Sequence, residues 1–192
     1  MNIELTEKAK QLIPLARIVS FKSWREVLPT DIIQLFQIAD DEGRYLTDKD
    51  LNLLKSSLKL PIFSIEAASL LGEKTGEIVD EAREKVLATY PDITAKGGDL
   101  YPPARAEACW RDFWHFLRCI TYGIAGNSKE FTSNEGLHYM NLLYQELLVP
   151  LSAMVCGLEA IKTASLKRFS FEEQAELAPY FDHLVTRLKE FS

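Results

Sequence analysis

The chain has 192 residues, 47% of them hydrophobic and 26% charged, with a formal net charge of −6 at pH 7. That length suits one domain with a sizeable core, and the acidic balance argues against a nucleic-acid partner. Three cysteines form neither a disulfide framework nor a Cys-x-x-Cys metal pair, and no apolar run nears the roughly 20 residues of a membrane span.

The start of the chain, Met1 to Glu7, lacks a basic-then-apolar signal pattern, so the expected compartment is the cytoplasm. Residues 1–28 read as a helical extension. Ile3, Leu5, Ala9, Leu12, Ile13 and Ala16 make an apolar stripe, interrupted at Pro14, and Trp24 and Val27 start a second patch. The plain expectation is a segment that packs on its own domain; the alternative is an arm that docks on a partner. Residues 29–60 read as a helical hairpin. Pro29-Thr30-Asp31 opens the first helix with a capping residue and an early acid, and Ile32, Ile33, Leu35, Phe36 and Ile38 supply its apolar face. Gly43 turns the chain. Thr47 then caps a second helix, with Asp50 at its third position and Leu51, Leu53, Leu54 and Leu58 following.

Pro61 ends the hairpin, and residues 61–166 read as the main domain. Residues 64–89 predict one long amphipathic helix, with Ile65, Ala68, Leu71, Ile78, Ala82, Val86 and Leu87 at helical spacing. Residues 90–103 are the one extended turn-rich stretch. The next stretch, Arg105 to Arg118, holds no Gly or Pro, so a helix runs through it. Arg105, Cys109, Asp112 and Phe116 are spaced by four, three and four, which places a guanidinium, a thiol, a carboxylate and a ring on one face. Taken alone, such a set describes a buried thiol beside a surface ion pair. Residues 134–147 form a further helix. Another starts near Pro150, and 167–192 add a last one, which Ser170 and Glu173 open with a capping box. The fold class is all-α.

Several motifs occur in a fixed order. The hairpin turn reads Ala39-Asp40-Asp41-Glu42-Gly43-Arg44-Tyr45-Leu46. The loop reads Asp92-Ile93-Thr94, then Gly97-Gly98-Asp99. The central helix reads Cys109-Trp110-Arg111-Asp112, then Leu117-Arg118 and Thr121-Tyr122. A later segment reads Tyr144-x-x-Leu147-x-Val149-Pro150. Over residues 30–165 this order resembles the phycobiliproteins, the light-harvesting subunits of phycobilisomes, and the two chain ends lie outside the likeness.

The resemblance implies a globin-like phycobiliprotein fold with an N-terminal helical hairpin and extra terminal helices. It implies a bilin, a linear tetrapyrrole like phycocyanobilin, held by a thioether to Cys109. Asp112 would accept from the central pyrrole N–H groups. Arg105 would take a propionate, Arg111 is a further family arginine that an ideal helix points away from Cys109, and Phe113 and Phe116 would pack on the pigment. The hairpin would pair the chain with itself or a related subunit, with Asp40 of one chain bridging to Arg118 of the other. A place on the cytoplasmic side of thylakoid membranes follows from the same likeness.

Ala104 stands where the family often has another arginine, and Trp110, Trp114 and His115 replace commoner residues. These departures keep open a second reading: an assembly or regulatory factor for photosynthetic complexes that binds bilin transiently or binds none. An enzyme is not expected, because Cys109 and His115 lie about 120° apart on a helix. No metal site is expected either, since His138 and His183 show no ligand spacing.

Overall fold

Caps, prolines and glycines cut the chain into helices, and apolar faces stack them. The computed structural model describes residues 5–56 and 60–192. The helices are α1 (Glu7–Leu12), α2 (Thr30–Asp41), α3 (Asp48–Ser56), α4 (Ile62–Glu73), α5 (Thr75–Thr89), α6 (Pro103–Ala125), α7 (Asn134–Glu146), α8 (Leu151–Leu166) and α9 (Phe171–Lys189). Two 3-10 turns, Ile13–Leu15 and Lys22–Glu26, lie between α1 and α2. Among the described residues there is no strand, only an isolated antiparallel bridge between Val19 and Thr132. This is the expected all-α, globin-like architecture. Ile3 and Leu58 lie outside the described residues.

Helix α6 is the axis of the core. Phe113, Phe116, Leu117, Ile120, Tyr122 and Ile124 are all buried, and α4, α5, α8 and α9 pack around it. Helix α9 belongs to this core rather than decorating it, because Leu177, Tyr180, Phe181, Leu184, Val185 and Leu188 are buried. The expected capping box is present: Glu173 N–H donates to the Ser170 hydroxyl and Ser170 N–H donates to the Glu173 carboxylate.

Two expectations need correction. The single helix over 64–89 is two helices, α4 and α5, broken at Lys74. No Pro marks the break, though Gly72 and Gly76 flank it; the Thr75 hydroxyl donates back to the Leu71 and Gly72 carbonyls at 3.0 and 2.9 Å and covers the end of α4. The break lets α4 lie along α6 while α5 lies along α8. Thr30 is not a cap but the first helical residue, and Pro29 precedes it without a side-chain bond. The hairpin turn does form as read. Gly43 takes φ +64, a conformation that other residues rarely adopt, and Thr47 and Asp50 cap α3 reciprocally.

The N-terminal segment packs on its own domain. Ala9 and Leu12 of α1 are buried and α1 rests on α7. Residues 18 and 20 exchange backbone bonds with 131 and 133: Ser20 N–H to Phe131 at 2.9 Å, and Ser133 N–H to Ile18 at 2.7 Å. Gly136 allows this closeness, since a Cβ there would run into the Arg17 carbonyl. Phe21 and Trp24 complete an aromatic cluster with Phe36 and Tyr122.

Candidate ligand-binding site

A cavity of about 460 Å³ opens between α6, α7 and the N-terminal segment. That volume falls in the roughly 300–1,000 Å³ range of small-molecule sites. Helix α6 presents Arg105, Ala108, Cys109, Asp112, His115, Phe116 and Cys119 to it. At about 100° per residue this stripe is centred near Ala108, Asp112 and Cys119, with Cys109 towards one margin and Arg111 at the other. Met140, Leu143 and Tyr144 of α7 face them, Leu100 brings in the loop before α6, Leu147 and Val149 follow α7, and Leu5, Ile13 and Ala16 form a further wall that Arg17, Ile18 and Asp40 continue.

Asp112 is the electrostatic centre. Its Oδ2 accepts from the Tyr144 hydroxyl at 2.9 Å, and Oδ1 has no partner among the described residues. Burial pushes the carboxyl up to about 6, against the pull of the Tyr144 hydrogen bond and the Arg111 charge. The residue keeps some exposed surface because its carboxyl borders the cavity. Burial likewise pushes the Cys109 thiol up to about 12, with Asp112 adding to the rise and Arg105 opposing it. At neutral pH that sulfur is protonated and a slow nucleophile. Cys119 lies in the same wall, and burial pushes its thiol up to about 12 as well. His115 is pushed down, by burial and then by the Arg118 and Arg111 charges, so its ring is neutral at pH 7.

Arg105 is held differently from expectation. Arg105 reaches the cavity but is a brace: its Nε donates to Asp99 O at 3.0 Å, and its Nη2 donates to Leu147 O and Leu148 O at 2.9 Å each. Only Nη1 is left for a ligand. Arg111 lies on the opposite margin of the cavity from Cys109, as an ideal helix places it, and is exposed, with no ion-pair partner among the described residues. It is the free cation of the site.

Asp40 and Arg118 pair inside one chain. Arg118 Nη1 donates to Asp40 Oδ1 at 3.0 Å, and Arg17 Nη2 donates to Asp40 Oδ2 at 2.5 Å. The two paired side chains are 7% and 9% exposed. Arg118 also donates to the Tyr122 hydroxyl at 2.8 Å, and that hydroxyl donates to the Arg44 carbonyl in the hairpin turn. The N-terminal segment supplies the extra cation, so both oxygens of Asp40 are already taken.

Phe113 is a second correction within the site. It does not border the cavity. It lies on the opposite side of Cys109 from Asp112, fully buried against Gly157 of α8, where a Cβ would strike its ring. Phe116 borders the cavity as expected. Trp110 packs on Phe113 with the Arg83 guanidinium over its ring at 5.8 Å, and Trp114 packs edge-on against Tyr45. Neither indole faces the cavity. Residues that sequence reasoning missed include Tyr144, Ala108, Cys119 and the N-terminal trio Leu5, Ile13 and Ala16. Only Tyr144 carried a signal, as a polar tip on an otherwise apolar face of α7.

No helix among the described residues is long and apolar enough to cross a membrane, and no group of His, Cys, Asp and Glu among them is arranged to hold a metal. The phycobilisome protein family model matches residues 34–188, which takes in most of the hairpin and all but the last residue of α9 and leaves out α1. An allophycocyanin subunit alpha-B from Synechocystis sp. is 33% identical over 154 residues, 80% of this chain and 96% of that one. The corresponding subunit of Nostoc sp. is 34% identical over 156 residues, 81% of this chain and 97% of its own. The allophycocyanin alpha-B chain of Cyanophora paradoxa is 30% identical over 154 residues, 80% and 95% of the two chains.

Proposed function

Because the chain belongs to the phycobilisome protein family, we propose that it binds a bilin in the α6–α7 cavity and serves in light harvesting. One observation carries this reading: Cys109, the open Oδ1 of buried Asp112 and the unpaired Arg111 all border one cavity of ligand size. The donor set fits a linear tetrapyrrole, which offers an electrophilic ethylidene carbon, pyrrole N–H groups and two propionates. When bound, such a group supplies visible absorption. Cys109 is the residue that would hold such a group covalently, its S–H adding across the ethylidene double bond so that the two carbons gain the sulfur and the proton and no electrons are lost. Asp112 Oδ1 would accept from pyrrole N–H groups, and its charge would favour their protonated form. Arg111, with Nη1 of Arg105, would hold propionate. The protonated state of the Cys109 thiol favours assisted over spontaneous attachment.

The role is binding, not catalysis. The chain pairs with itself or a related subunit through the outer hairpin groove, where Ile38 and Leu53 stay 43% and 49% exposed. It works on the cytoplasmic side of thylakoid membranes. One feature favours the second reading, a pigment-free or transiently loaded assembly factor for photosynthetic complexes: Arg105 is committed to backbone carbonyls.

The test is co-expression with a bilin supply, then an absorption spectrum in acid urea. Covalent colour that is lost in Cys109→Ala and kept in Cys119→Ala is the expected result. A colourless protein, under conditions that load a control phycobiliprotein, overturns the pigment reading.

A further inference from the structure

Residues 5–16 lend Leu5, Ile13 and Ala16 to the cavity lining, and they are held quite differently from the residues that follow them. From Arg17 onward the segment is locked. Arg17 bonds Asp40 and Asp41 at 2.5 and 2.6 Å, residues 18 and 20 bond the chain at 131 and 133, and Phe21 and Trp24 are 4% and 2% exposed. Before Arg17 only Ala9 and Leu12 are buried. The polar ties there are the Thr6 hydroxyl to Glu146 at 2.8 Å and Lys8 to Glu146 at 3.0 Å, both at the surface, where such contacts hold weakly. Pro14 removes a backbone donor at the junction, and the α-helix gives way to a single 3-10 turn.

We propose that residues 5–16 are a strap, hinged between Pro14 and Arg17, that opens while the rest of the chain stays folded and thereby gates the cavity containing Cys109. Local opening belongs to segments with few buried contacts and exposed bonds, and this segment has both properties. Leu5 and Ile13 are the wall that moves and Ala16 lies in the hinge; α6, α7 and the locked Arg17, Ile18 and Asp40 are the walls that stay. The gate deepens the ligand reading, on which its purpose rests. Lifting the strap uncovers Cys109 and Asp112 without disturbing the Asp40–Arg118 pair, because Arg17 lies on the locked side of the hinge.

The experiment uses the full-length, pigment-free protein and iodoacetamide, with peptide mass spectrometry reading each cysteine. Cys156 is the internal reference, since it lies on α8 beside Thr89 and does not border the cavity. In Leu12→Ser, alkylation of Cys109 is expected to rise about tenfold or more, the effect of uncovering one aliphatic side chain. Cys156 is expected to be unchanged, and faster amide exchange should be confined to residues 5–16. Glu146→Ala, a surface change that removes both polar ties, should raise the Cys109 rate by a smaller factor, and it carries the test alone if Leu12→Ser does not fold. Equal acceleration at Cys109 and Cys156 would show general loosening and overturn the strap. Faster exchange in 5–16 with an unchanged Cys109 rate would overturn the gate. No bilin enters the measurement, so a chain that never takes pigment can still pass it, and a pigmented one can fail it.

Discussion

Replacing Asp40 by Asn should cost this protein much of its stability. The carboxylate accepts from Arg118 at 3.0 Å and from Arg17 at 2.5 Å, with only 7% of its side chain exposed. Asn keeps the shape and removes the charge. Arg118 is then left a buried charge with no anion beside it, its Nε already without a partner and its Nη1 facing two neutral groups, the new amide and the Tyr122 hydroxyl. Removing one member of a buried ion pair costs about 3–5 kcal/mol, because the other charge remains desolvated. For a domain of this length each kcal/mol moves Tm by about 2–4 °C, so the expected fall is about 6–20 °C. The assay is thermal unfolding by far-ultraviolet circular dichroism, at low and at high micromolar protein. An in-chain pair predicts the same fall at both concentrations. The double variant Asp40→Leu with Arg118→Met should recover most of it, since a well-packed apolar pair avoids the desolvation cost. A loss below about 1 kcal/mol, typical of solvent-screened pairs, would refute the argument. A loss that depends on concentration would instead place the bridge between two chains.

Two further outcomes follow from the site and the hairpin. Burial holds the Asp112 carboxyl at about 6, above its ordinary 3.8, so the folded state keeps that proton longer than the unfolded chain. Asp112 therefore favours folding in acid, and that contribution is lost as pH rises through about 6. Asp112→Asn should flatten the stability curve across this window and raise stability above it by about 1–2 kcal/mol, allowing for water in the cavity; urea titrations on either side of pH 6 check this, and an unchanged curve contradicts it. Leu53→Asp, at the exposed hairpin groove, should shift the protein towards monomer in light scattering at micromolar concentrations and above. A wild-type chain that is monomeric throughout removes pairing altogether.

Local rules made much of the fold readable. Gly43 and the Thr47–Asp50 cap set the hairpin, Ser170 and Glu173 start α9, and the run from Arg105 to Arg118, free of Gly and Pro, forms helix as its composition demands. The break at Lys74 was hidden because its cause is a hydroxyl satisfying carbonyls, not a residue that forbids helix. The site was half legible. Helical spacing brought Arg105, Cys109, Asp112 and Phe116 to one side, but spacing alone does not say where neighbouring helices lie. Phe113 therefore went to α8, while Ala108 and Cys119 went to the cavity. Tyr144 meets Asp112 from 32 positions away, and Arg17 meets Asp40 from 23, which no local pattern reports. Whether Asp40 and Arg118 meet within one chain or between two depends on the same long-range placement.

The backbone bonds between residues 18–20 and 131–133 also set an order in time. The N-terminal segment leaves the ribosome first, yet its docking surface on α7 emerges more than a hundred residues later. At about 5–20 residues per second that is a delay of roughly 5–20 s. Contacts of such sequence separation form late in folding as well. Each newly made chain therefore begins life with α1 undocked, while α6 and then α7 take shape beneath it.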